Sequence, residues 1–117
     1  MTDELRAEKL LFVCSRNRAR SLTAERLFEG AALYQVRSVG TQPEARIVVT
    51  EGHLGWADTV FCMEKGHLER LRRKFPEALE GKRAVCLHIP DEYEYMAANL
   101  IDDLRAALAP YVTLPEE

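Results

Sequence analysis

The chain has 117 residues, 47% hydrophobic and 30% charged, and sixteen basic against nineteen acidic side chains leave a net charge of −3. A length below the roughly 150 residues of a typical domain predicts one domain over residues 1–117, able to bury about two thirds of its unfolded surface. Six glycines and five prolines exclude a low-complexity or collagen-like chain, and the acidic balance argues against a general nucleic-acid binder. No apolar stretch approaches the roughly 18 residues of a membrane span. The start Met1-Thr2-Asp3-Glu4 is acidic where an export leader is basic. A cytoplasmic protein without membrane contact is expected. Cys14, Cys62 and Cys86 form neither a disulfide framework nor a zinc pattern. His53, His67 and His88 lack ligand spacing, so no metal and no cofactor is expected.

Along the chain, Leu10-Leu11-Phe12-Val13-Cys14 is a continuous apolar run, as in a strand covered on both faces. Ala24, Leu27, Phe28 and Ala31 then fall on one stripe of a helix. Tyr34 to Val39 predicts a second strand ending at Gly40, a residue free to adopt the backbone angles of a sharp exit. Ile47-Val48-Val49 looks extended, with Thr50 placed to cap a short helix carrying Glu51, His53 and Leu54. Ala57 to Met63 is the third strand, with Trp56 before it assigned to the core. Leu68, Leu71 and Phe75 mark a helix stopped at Pro76. Lys82 to Ile89 forms a fourth strand ended by Pro90. Ala97, Leu100, Ile101, Leu104 and Leu108 share one face of a last helix, and Pro110 to Glu117 reads as a frayed terminus.

Strand–helix alternation through four strands predicts an α/β fold, a parallel sheet with helices on both faces and right-handed crossovers. Ligands in such sheets sit beyond the carboxyl ends of the strands. Four places therefore matter: the residues after Cys14, Val39, Met63 and Ile89.

After the first strand stands Cys14-Ser15-Arg16-Asn17-Arg18-Ala19-Arg20-Ser21. A loop there, leading into a helix start, can turn its N–H groups inward as an anion nest. Arg20 supplies a fork matched to two phosphate oxygens. The same field favours thiolate over thiol, which makes Cys14 a nucleophile aimed at phosphorus. Ser21 can donate its hydroxyl to that sulfur. Each residue has a plainer alternative: a buried thiol at Cys14, a solvated basic loop at Arg16, Arg18 and Arg20, an N-cap at Ser21. Ala24 three residues on from Ser21 leaves no capping box. Their joint placement favours the chemistry. A departing oxygen then needs an acid. Asp91, directly after Pro90, is the best placed, with Glu92 and Glu94 as alternatives; Tyr93 and Tyr95 can wall a pocket for a flat ring.

Taken together, Val13-Cys14-x5-Arg20-Ser21, Ser38-Val39-Gly40-Thr41, Phe61-Cys62-Met63-Glu64 and Asp91-Glu92-Tyr93 resemble the low-molecular-weight protein tyrosine phosphatases, and more narrowly a short bacterial branch of them. The resemblance runs from about Leu10 to Met96. It implies a four-stranded parallel sheet in the order 2-1-3-4 and no cofactor. Cys14 would be the nucleophile, Arg20 the phosphate clamp, and Ser15, Arg16, Asn17, Arg18 and Ala19 the cradle, with Asn17 holding its shape. Ser21 would stabilise the thiolate, Asp91 would act as general acid and then base, and Tyr93 would be the first aromatic after the acid. Phosphorylated protein or a small aryl phosphate would be the substrate, and inorganic phosphate the product. The pattern departs from the family at Arg16, where Gly is usual, at Ala19, where a second loop cysteine is usual, and at Leu22 and Glu92, where proline is usual. The segment from Pro43 to Gly55 is short and shows no evident aromatic. The Cys-Ser-x-Asn start is similar to that of a eukaryotic phosphatase of this fold acting on phosphoserine in the RNA polymerase tail.

Two other functions fit parts of the pattern. Arsenate reduction on the same fold needs resolving thiols near Cys14, and Cys62 and Cys86 fall inside strands. A non-catalytic phosphate- or phosphoprotein-binding module would accommodate Arg16. Arg70, Arg72, Arg73 and Lys74 read as a solvated helix face, with His67 on the same helix facing solvent.

Overall fold

The computed structural model describes residues 7–115; the acidic start at residues 1–4 and the last two residues of the tail lie outside the described residues. In chain order come β1 (Glu8–Cys14), α1 (Arg20–Leu27), β2 (Tyr34–Gly40), α2 (Glu51–Trp56), β3 (Thr59–Cys62), α3 (Lys65–Lys74), α4 (Pro76–Leu79), β4 (Arg83–Cys86) and α5 (Ala98–Leu108). All strands pair in parallel, in the order β2-β1-β3-β4. The expected fold class and strand order are both present.

The uninterrupted apolar run of β1 has a direct cause. Leu10, Leu11, Phe12 and Val13 are completely buried because both faces of the central strand are covered. Leu10, Phe12 and Cys14 face one core cluster with Ala24 and Phe28, next to α1, and with Leu100, Leu104 and Leu108 of α5. Leu11 and Val13 face the other, with Leu54 of α2, Leu68 and Leu71 of α3 and Leu79 of α4. Two layers of helix thus press β1 into the middle of the sheet, and its carboxyl end carries Cys14.

Several boundaries differ from the sequence pattern, and the third strand is shorter than Ala57 to Met63, running Thr59–Cys62. The first helix ends at Leu27, and Phe28 and Ala31 reach the core from the turn that follows. Pro76 does not merely stop a helix; it occupies the first turn of α4, where its missing N–H costs nothing. The fourth strand ends at Cys86 because His88 takes a left-handed backbone angle, φ 58°, although Leu87 and Ile89 N–H still bond to the Cys62 and Met63 carbonyls. The tail does not fray through residue 115. Tyr111 meets the Phe61 ring edge-on at 6.0 Å, Val112 and Leu114 pack on the core, and the Pro115 carbonyl accepts from Arg105. Trp56 is half-buried rather than central, with the Arg37 guanidinium 4.3 Å above its ring.

Phe12 is the packing centre of the first cluster, its ring 5.8 Å from Phe28 and 5.4 Å from Phe61. Phe12→Ala is expected to lower unfolding free energy by about 3–5 kcal/mol, read from denaturant midpoints at unchanged slope.

Candidate active site

Four strand ends converge on one edge of the sheet, and each supplies a piece of a single site. The peptide after β1 folds back on itself, with Asn17 at φ 58° and its N–H donating to Cys14 Sγ at 3.2 Å. Asparagine tolerates this left-handed geometry better than most residues. Its buried side chain also holds two neighbours, donating from Nδ2 to Ser21 Oγ at 2.9 Å and to Ser38 Oγ at 2.8 Å. Proton accounting sets the direction of the chain. Ser38 gives its own proton to Glu25 Oε1 at 2.5 Å and accepts from Asn17. Ser21 likewise accepts from Asn17, which frees its hydroxyl to donate. The Cys14 sulfur lies 2.9 Å from Ser21 Oγ and the Val39 carbonyl 3.3 Å. Ser21 is therefore not an N-cap. Ala19 occupies that position, and Ser21 sits inside the first turn of α1, completely buried.

The segment after β2 braces this loop from behind. Thr41 N–H bonds to the Cys14 carbonyl, Gln42 N–H to Ser15 and Arg46 N–H to Arg16, all at 2.9–3.0 Å, and Arg46 Nε reaches the Asn17 carbonyl at 3.2 Å. Such closeness requires Gly40. A Cβ there would stand 2.6 Å from both the Ser15 carbonyl oxygen and Ala45 Cβ. Gly40 is needed for space, not for the unusual backbone angles expected from sequence, since its φ lies outside the left-handed range.

Arg20 is 2% exposed, and its Nη1 donates to Glu64 Oε1 at 2.7 Å and to the Ile89 carbonyl at 2.8 Å. These are contributions from the ends of β3 and β4. Two of the five guanidinium protons are thereby used, which leaves the Nε and Nη2 edge as a fork. Asp91 Oδ1 lies 3.8 Å from Nε, largely exposed. The resulting cavity, about 190 Å³, is lined by Cys14, Ser15, Arg16, Arg18, Ala19, Arg20 and Asp91, with Cys14 and Arg20 buried and Arg16, Arg18 and Asp91 exposed. Arg16 does not fill the cradle: it extends outward, 69% exposed, 3.9 Å from Glu44. Two roomier surface grooves, about 330 and 440 Å³, contain no cysteine or histidine.

Tyr93 and Tyr95 were expected to wall the pocket, and neither lines this cavity. The Tyr93 hydroxyl donates to Asp103 on α5, which raises its pKa, and Tyr95 is 47% exposed with its hydroxyl 3.3 Å from Arg26 Nε. Both are drawn toward the α1–α5 side. Cys62 belongs to the core cluster on the opposite face of the sheet from Cys14, and burial pushes its thiol up to about 12. Cys86 sits beside it in register, half-buried, 3.5 Å from His88 Nδ1. No second thiol lines the Cys14 cavity.

Sequence reasoning missed Glu64 as the partner of Arg20 and misplaced His67. His67 is 5% exposed, not solvent-facing. Its Nδ1 accepts the Glu64 N–H at 3.0 Å, half of a capping box at the start of α3, so the proton of the neutral ring is on Nε2 and is donated to Ser15 Oγ at 2.9 Å. Glu-x-x-His at a strand-to-helix junction was the available signal. Hydrogen bonding from Arg20 holds the Glu64 carboxyl below its ordinary range. Burial, with the Arg20 charge adding to it, lowers His67 to about 4.

That depression has a signed consequence. Between about pH 4 and 6.5 the unfolded chain binds the His67 proton and the folded chain does not, so stability present above pH 6.5 is lost as pH falls through this window. The loss relative to His67→Gln is expected at about 2–3 kcal/mol, read from denaturant unfolding against pH. Nitrogen NMR should show the Nε2–H tautomer throughout at pH 7.

Three solved structures share this architecture. Wzb of Vibrio vulnificus, in complex with benzylphosphonate, is 25% identical over 89% of this chain and 97% of its own, with a TM-score of 0.68. The arginine phosphatase YwlE of Geobacillus stearothermophilus is also 25% identical, over 88% of this chain and 84% of its own, at 0.59. The tyrosine phosphatase Wzb of Escherichia coli K30, in complex with phosphate, is 23% identical over 91% and 96%, at 0.72. No family model matches the chain, and no curated protein matches it in sequence.

Proposed function

We propose that the chain, which has the fold of the low-molecular-weight protein tyrosine phosphatases, is a phosphatase that hydrolyses phosphomonoesters, with protein phosphotyrosine as substrate, through a phosphocysteine on Cys14. One observation carries the mechanism: Cys14 Sγ accepts from Asn17 N–H and lies within donor reach of Ser21, in a cavity that the buried Arg20 also lines. Donors fixed before substrate arrives stabilise developing charge without reorganising.

In the first step the Cys14 thiolate attacks phosphorus; an S–P bond forms as the P–O bond breaks, and Asp91 gives its proton to the departing oxygen. In the second, Asp91 takes a proton from water, the water oxygen attacks phosphorus, and the S–P bond breaks to release inorganic phosphate and the thiolate. Arg20 holds the equatorial oxygens through its free Nε and Nη2 edge. Ser21 offers one hydrogen bond to sulfur as nucleophile and again as leaving group. Asp91 is exposed at the cavity rim, where it can meet the leaving oxygen. The burial of Cys14, 3% exposed, favours a long leaving group such as an aryl ring over a short one. Tyrosine and arginine phosphatases both occur among the similar structures.

Hydrolysis of p-nitrophenyl phosphate tests the assignment. Turnover should be insensitive to chelator and abolished by Cys14→Ser, and cut about 10²–10⁴-fold by Asp91→Asn. Phosphate bound in a Cys14- and Arg20-dependent manner without turnover would instead identify a binding module.

A further inference from the structure

A second cavity, about 270 Å³, adjoins the phosphate cradle and shares Ser15 with it as a common wall. Its remaining lining includes Thr41, Gln42, Gly66, Arg70 and the Glu64–His67 pair. We infer that this cavity is an anion subsite for a carboxylate or phosphate carried by the substrate beside its scissile phosphate. The inference rests on the phosphatase reading only for what the anion is attached to.

Hydrogen-bond accounting supplies the argument. Thr41 is 6% exposed and lines the cavity, yet its hydroxyl has no partner among the described residues. Lining the cavity without such a partner, that hydroxyl can donate to a bound group or to water. Ser15 Oγ accepts the His67 Nε2 proton, so the Ser15 hydroxyl keeps its own proton to give. Gly66 stands in the first turn of α3, where the N–H has no intrahelical partner and the helix end carries partial positive charge. A side chain at Gly66 would meet nothing within 4 Å, so that turn is open. Arg70 follows Gly66 by four residues and therefore shares its helix face.

Charge points the same way. Glu64 is the one carboxylate in the lining, and Arg20 Nη1 engages it at 2.7 Å. His67 is neutral, as its hydrogen bonds require. Arg70 is left as the unmatched charge of the cavity. With Glu64 held by Arg20 from outside the cavity, Arg70 supplies the charge open to a ligand. A phosphorylated side chain with an acidic neighbour would place its phosphate over Cys14 and its second anion against Arg70.

Binding to the Cys14→Ser protein, which cannot form the phosphocysteine, tests this without requiring turnover. Two fluorescent phosphotyrosine peptides are compared at low ionic strength, one flanked by glutamates and one by alanines. The acidic peptide should bind about fivefold more tightly, the scale of one partly exposed charge contact. Arg70→Ala should erase that preference, Arg70→Lys should restore part of it, and Thr41→Val should reduce it. Equal affinities, no binding of either peptide, or a preference that survives Arg70→Ala would overturn the subsite, as would one that follows Arg18→Ala alone. Turnover of p-nitrophenyl phosphate by the unaltered enzyme is scored separately. Turnover without a flank preference rejects the subsite alone, whereas a flank preference without turnover rejects the catalytic reading alone.

Discussion

Asn17 donates two hydrogen bonds from one buried amide, and the phosphate-site geometry hangs on them. Its Nδ2 ties Ser21 in α1 to Ser38 in β2, across the turn that its own left-handed backbone makes. Both hydroxyls accept from Asn17 and keep their own protons to give: Ser38 to Glu25, and Ser21 to the Cys14 sulfur or the Val39 carbonyl, 2.9 and 3.3 Å away. Removing a buried donor of this kind leaves its partners unsatisfied at about 1–3 kcal/mol each. Asn17 Oδ1 has no partner among the described residues, where the amide is committed through its nitrogen alone.

Arg20 poses the opposite problem, a charge withdrawn from water. It is tolerated because two of its protons have strong acceptors, Glu64 Oε1 and the Ile89 carbonyl, from two different strand ends. Deleting one partner of such a pair is costly because the remaining charge stays buried. The same two contacts orient the fork, so stability and function draw on one set of bonds. Glu64 also begins α3, and through its N–H it fixes the His67 tautomer and thereby Ser15. Cradle, clamp and second cavity are thus parts of one connected network.

How much of this was legible beforehand depended on whether the signal was local. The apolar run at Leu10–Val13 gave away β1, because burial on both faces removes any alternation. Thr50 gave away α2, whose capping box is complete with His53. That Cys14, Arg20, Ser21 and Asp91 come together was readable because strand ends of a parallel sheet meet at one edge. Side-chain direction was not readable. Tyr93 and Tyr95 follow Asp91 directly, yet Asp103 and Arg26, distant in sequence, draw their hydroxyls away. His67 sits among arginines and looked solvated, but the turn of α3 points it at Ser15, 52 residues earlier. Gly40 was singled out for the wrong property. Its missing Cβ matters because Ser15 and Ala45 come close, a contact that no stretch of sequence shorter than the fold reveals.

The most direct test of this account is to look for the covalent intermediate. Asp91→Asn protein mixed with an aryl phosphate, quenched and digested, should yield one phosphoryl group on the peptide carrying Cys14, absent when Cys14 is replaced by alanine. A phosphoryl group on another residue, or release of phosphate by active enzyme with no modified Cys14 peptide at any quench time, would contradict it.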